Sequence, residues 1–110
     1  MMRIPMSDAA AGLLRALVAR AAVPRDRILL TDFRSTDWQS LTLIGERHHI
    51  GLRIPEPDAD AIAQQLIGGI EDAEFAIPGH LVADITLAHP VERNGDGSIS
   101  VEFEALTIAE

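Results

Sequence analysis

The chain has 110 residues, a formal net charge of −8, 47% hydrophobic residues and no cysteine. That length suits one domain with a single core, and the apolar content excludes a disordered chain. Disulfide and thiolate chemistry are excluded, and no apolar run approaches the roughly 20 residues of a membrane-spanning helix.

All nine basic residues are arginine, which reads as compositional bias. Up to Pro55 eight arginines face five acids, a balance of +3, whereas from Glu56 onward one arginine faces twelve acids, a balance of −11. The halves either neutralise each other within one domain, or the basic half presents an anion-binding surface.

Residues 1–6 read as an unstructured lead, with Met6 as an alternative start and Ser7 as the cap of the helix that follows. From Ala10, the residues Leu13, Leu14, Leu17, Val18 and Ala21 recur at helical spacing, which predicts an amphipathic helix ending before Pro24. Arg27–Arg34 reads as a first strand, with Leu29 and Phe33 on the core face and Ile28 and Leu30 on the other.

The stretch Trp38–Ile54 alternates apolar and polar residues on both sides of Gly45-Glu46, so a two-residue turn is expected there. That register pairs Leu43 with His48, Thr42 with His49, Leu41 with Ile50 and Trp38 with Arg53. A loop at Ser35-Thr36-Asp37 then sets Arg34 opposite Trp38.

Pro55-Glu56-Pro57-Asp58 opens a second helix whose buried stripe is Ala59, Ile62, Ala63, Leu66, Ile67 and Ile70, and Gly68-Gly69 breaks it. Glu71–Ile77 fits neither period well, a short edge segment being the nearest match. His80–Val91 alternates with Leu81, Ala83, Ile85 and Leu87 inward. Arg93–Gly97 is a turn, and Ile99, Val101 and Phe103 begin an antiparallel partner strand. Past Ala105 the apolar phase changes, as a bulge or the end of pairing would cause.

The expected fold is one α+β domain over residues 1–110, an antiparallel sheet of about five strands with two amphipathic helices in the order α-β-β-β-α-β-β. Ile28, Leu30, Ile44, Val82, Leu106 and Ile108 point away from the main core. The helices therefore cover opposite faces, or the second face is buried in a homodimer.

The expected hairpin gathers Arg34, Trp38 and Arg53 in a row, with Arg47 and His49 further along. Arginines flanking an indole suit an anionic or aromatic ligand, as anion clamps beside a stacking surface. The competing account is ordinary cross-strand pairing, with arginine stems covering Trp38. Glu46-Arg47-His48-His49 invites a metal reading, but neighbouring residues in a strand face opposite ways, so His48 and His49 do not share an ion. A centre would need His49 with His80, His89 or an aspartate.

Ser40 or Thr42 beside His49 offers a hydroxyl and a base, without an oxyanion-hole signal. Glu71-Asp72-Glu74 and the pair Glu102 and Glu104 read as solvated faces. The expected function is a small, soluble, cytoplasmic interaction or small-ligand-binding domain, homodimeric and without a resident cofactor. Its partners would be a small anion or a protein. The alternative is a metal-assisted or general-base hydrolase-like enzyme using His49. Duplex nucleic acid is not an expected partner, because Glu56, Asp58 and Asp60 at the start of the second helix repel phosphate.

Overall fold

The computed structural model describes residues 6–110, so most of the expected lead over residues 1–6 lies outside it. The elements are α1 (Asp8–Arg20), β1 (Leu29–Gln39), β2 (Ile44–Ile54), α2 (Ala59–Ile67), β3 (His80–Leu87), β4 (Glu92–Arg93) and β5 (Ile99–Ala109). The strands form one antiparallel sheet in the order β1-β2-β5-β3, with β4 pairing on β5. Among the described residues, the α+β class, two α-helices and five strands are as the sequence predicts. Of the three strands expected before α2, two are present, and β4 is added between β3 and β5.

The helices follow local chemistry. The Ser7 side chain accepts from the Ala10 amide at 3.1 Å and starts α1, while Gly68 ends α2 as its C-cap. α2 carries no basic residue in its last turn; Arg20 of α1 takes that place. Its Nε donates to the Leu66 carbonyl at 3.1 Å and a terminal nitrogen donates to the Gly68 carbonyl at 2.6 Å. A cation thus serves carbonyls that the end of a helix leaves unpartnered.

Both helices lie on one face of the sheet. Leu13 and Leu17 of α1 and Ile62, Ala63 and Leu66 of α2 share a core with Ile50, Leu52 and Ile54 of β2 and Ile99, Val101, Phe103 and Ala105 of β5. Each fully buried large side chain contributes roughly 1.5–3 kcal/mol. Strand alternation sends Arg47, His49 and Arg53 of β2, and Ser100, Glu102 and Glu104 of β5, to the opposite, open face.

The expected Gly45-Glu46 turn is corrected. The chain turns at Ser40–Leu43, where the Ser40 amide donates to the Leu43 carbonyl at 2.9 Å and the Leu43 amide donates to Ser40 Oγ at 3.2 Å. Gly45 lies inside β2, opposite Trp38 on β1 and Ile108 on β5. A Cβ on Gly45 would come 2.0 Å from the Thr107 carbonyl oxygen, so a close approach of backbones requires this glycine. Pairing of the whole of β2 with β5 outweighs a two-residue turn that the local residues also permit.

Two bulges change the faces expected of the edge strands. One lies between Leu30 and Asp32, and Ile28 enters the core while Leu29 is exposed. The other lies between Val82 and Asp84, and Val82 packs on the core while Leu81 is exposed. In β5 no phase break occurs: pairing runs on to Ile108 against β2, with Thr107 buried on the helix side.

Candidate functional site

His48 and His49 fall on opposite faces, as alternation requires. His48 is 3% exposed, and both ring nitrogens are engaged, Nδ1 with Ser35 Oγ and Nε2 with Thr107 Oγ1, each at 2.8 Å. Burial holds its pKa below the ordinary histidine value, with Glu46 opposing and His80 adding to the shift. It is a buried imidazole bridging two hydroxyls.

His49 faces the open side between Arg34 on β1 and Glu104 on β5. The next position on that face of β2 is Gly51, whose partners are Asp32 and Glu102. The His49 ring reaches diagonally past this glycine, and its Nε2 lies 2.7 Å from Glu102 Oε1 and 3.7 Å from Asp32 Oδ2. From the junction of β3 and β4, His89 Nε2 lies 2.7 Å from the other oxygen of Glu102. One carboxylate therefore has an imidazole on each oxygen.

Further carboxylates ring the cluster. Glu92 Oε1 is 3.8 Å from His89 Nδ1, and Glu104 Oε1 is 4.0 Å from His49 Nδ1. His89, Glu92 and Glu102 each bring one ligand atom to within 4.8 Å of the others. The Pro90 carbonyl accepts from His89 Nδ1 at 3.0 Å, which fixes the proton on that nitrogen. This bond, and then Glu102, raises the His89 pKa; His89 followed by His49 lowers that of Glu102.

The residues expected to form one row separate. Arg34, Arg47 and His49 line a shallow recess of ≈ 270 Å³ with Thr36 and Glu104. Trp38 sits opposite Gly45 instead of Arg34 and Arg53, in the row that continues through Ile108 on β5 to Leu81 on β3. Arg53 faces Leu29 on β1 and clamps the turn after β4, its Nε donating to Ser98 Oγ at 2.9 Å and a terminal nitrogen to Asp96 Oδ2 at 2.6 Å. Ser40 and Thr42 belong to the hairpin loop, so neither forms the expected pair with His49.

Glu102 belongs to the cluster and is not a freely solvated side chain, unlike the exposed Glu104. The sequence does place Glu102 on the polar face of its strand, and Gly51 marks a gap in β2; pairing β2 with β5 is what joins them.

No protein-family model and no curated protein sequence matches the chain. Among the described residues, no helix is long and apolar enough to cross a membrane.

Proposed function

We propose that the protein is a small metal-binding domain that takes up one divalent ion of the zinc class on its open sheet face, through His49, His89 and Glu102. The supporting observation is the convergence of two imidazole Nε2 atoms on one carboxylate, each at 2.7 Å. With its proton on Nδ1, neutral His89 presents a lone pair at Nε2 to an oxygen that also carries lone pairs. A cation resolves that opposition, as a second proton on His89 would. Its hydrogen bond to the Pro90 carbonyl is the outer contact that orients a ligating histidine.

Two imidazoles with carboxylates favour Zn²⁺, Co²⁺ or Ni²⁺ over Mg²⁺ and Ca²⁺. Each Nε2 stands 2.7 Å from one oxygen of Glu102, inside the roughly 3.3 Å edge of a tetrahedron with 2.0–2.1 Å bonds, but His49 is outside the set His89, Glu92 and Glu102 whose ligand atoms lie within 4.8 Å of one another, so uptake has to draw the two imidazoles together around the ion. The His49, Glu102 and Asp32 side chains are 15%, 33% and 52% exposed, which leaves an approach for water as a further ligand. That open position is what a hydrolytic centre needs, and it supports metal-assisted hydrolysis as the enzymatic form of this reading.

Calorimetric titration of chelator-treated protein with Zn²⁺ tests the proposal. One ion per chain is expected, with affinity reduced at least tenfold by His89→Ala and by His49→Ala, and no comparable uptake of Mg²⁺. Full retention of Zn²⁺ uptake by the His49→Ala/His89→Ala variant would overturn it.

Self-association is a second reading. It is favoured by Leu41, Leu43, Ile44 and Leu81, exposed hydrophobic residues at the hairpin loop, the start of β2 and the edge strand β3. Sedimentation velocity should then show a dimer that Ile44→Asp converts to monomer. A monomer at every concentration removes this reading.

A further inference from the structure

A second recess lies on the helix side, away from the histidine cluster. α1 and α2 pack over β2 and β5, whereas β1 is the sheet's edge. α1 ends at Arg20, and the chain leaves through Ala22, which has φ 57°, and Pro24. A recess of ≈ 510 Å³ remains, with Leu14 and Val18 on one wall, Leu30 and Leu52 on the sheet, and Arg15 and Arg25 among its lining residues. Leu52 is 1% exposed, so the recess reaches the core, while Leu30 is 42% exposed and has apolar surface to cover.

The two arginines give the recess its polarity. Both are exposed, and among the described residues neither guanidinium has a hydrogen-bond or ion-pair partner. Arg20 and Arg27 nearby in sequence are each committed to backbone carbonyls. An apolar recess of this size with a few polar groups fits a small organic ligand. The apolar lining favours an organic ligand over a free inorganic ion, and the two arginines favour an anionic head.

We propose that this recess binds an aliphatic carboxylate, with its tail along Leu14, Val18 and Leu30 and its head held by Arg15 and Arg25. Burial of the tail supplies affinity, and guanidinium–carboxylate pairing sets the ligand's direction. The site is independent of the metal reading, since it shares no residue with the His49–Glu102–His89 cluster.

The test is an amide and methyl NMR titration of the full chain with decanoate, kept below the concentration at which it self-aggregates. Saturable shifts are expected at Leu14, Val18 and Leu30, with affinity about tenfold weaker in Arg15→Gln/Arg25→Gln. Because both arginines are exposed, the double variant should keep the wild-type melting temperature, which separates lost binding from lost folding. Decyltrimethylammonium, with a similar tail and the opposite charge, should show no saturation at these residues. Equal binding of the two amphiphiles, or undiminished decanoate affinity in the double variant, overturns the proposal. So does a recess already covered by a second copy, seen as protein-concentration-dependent shifts at Leu30 that decanoate does not reverse.

Discussion

His49 on β2 and Glu102 on β5 meet at 2.7 Å although they are not register partners; Glu102 stands opposite Gly51. A diagonal contact of this type needs the position between them to be small. Gly51→Val would put a branched side chain into that space, and its first carbon already meets Thr31 Oγ1 at 2.9 Å. Loss of the His49–Glu102 hydrogen bond is expected while Glu102–His89 persists. Imidazole ¹⁵N spectra would record it, together with weaker Zn²⁺ uptake.

Glu102→Gln keeps the shape of the carboxylate and removes its charge. The His89 pKa is raised by the Pro90 carbonyl first and then by Glu102, so the variant should lower it toward the ordinary histidine value without abolishing the shift. An NMR titration of metal-free protein measures this. An unchanged His89 titration would mean that the carboxylate does not act on the ring.

Gly45 and Gly95 make a matched pair for a backbone argument. A methyl at Gly45 would lie 2.0 Å from the Thr107 carbonyl oxygen, whereas one at Gly95 meets nothing within 4 Å. Gly45→Ala should destabilise the fold by about 2–3 kcal/mol or more by forcing β2 and β5 apart. Gly95→Ala should stay within about 0.5 kcal/mol of wild type. Urea unfolding of both variants gives the comparison.

Arg20→Met keeps most of the aliphatic stem and removes the donors to Leu66 and Gly68. The cost should be about 1 kcal/mol, at the lower end for charge-assisted bonds because Arg20 is half-exposed. Hydrogen exchange should show the loss concentrated at the C-terminal end of α2.

Asp96 supplies the acid-pH prediction. Hydrogen bonds from the Ser98 hydroxyl and amide, with Arg53 beside it, lower its pKa from 3.8 to about 2. Its contribution to stability is therefore complete above about pH 4, the unfolded range, and is lost as pH falls toward about 2. Asp96→Asn should flatten the decline in unfolding midpoint across that window.

Much of this protein was determined locally. The Ser7 cap, the 3.6-residue stripe from Leu13 to Leu17 and the Gly68-Gly69 break mark the helices, because capping and amphipathicity act over one or two turns. Asn94–Gly97 marks the last hairpin, and the period of two puts His48 and His49 on opposite faces. Tertiary structure decided what those faces meet. Gly45-Glu46 satisfies a turn locally, but only the approach of β5 shows that a strand must pass there without a side chain. Asp32, Glu102 and His89 join His49 through strand pairings, a bulge and the β3–β4 junction. Glu102 alone is 53 residues from His49. Alternation records which side a residue takes; it carries no information about which distant strand lies beside it, and that neighbour decides the chemistry.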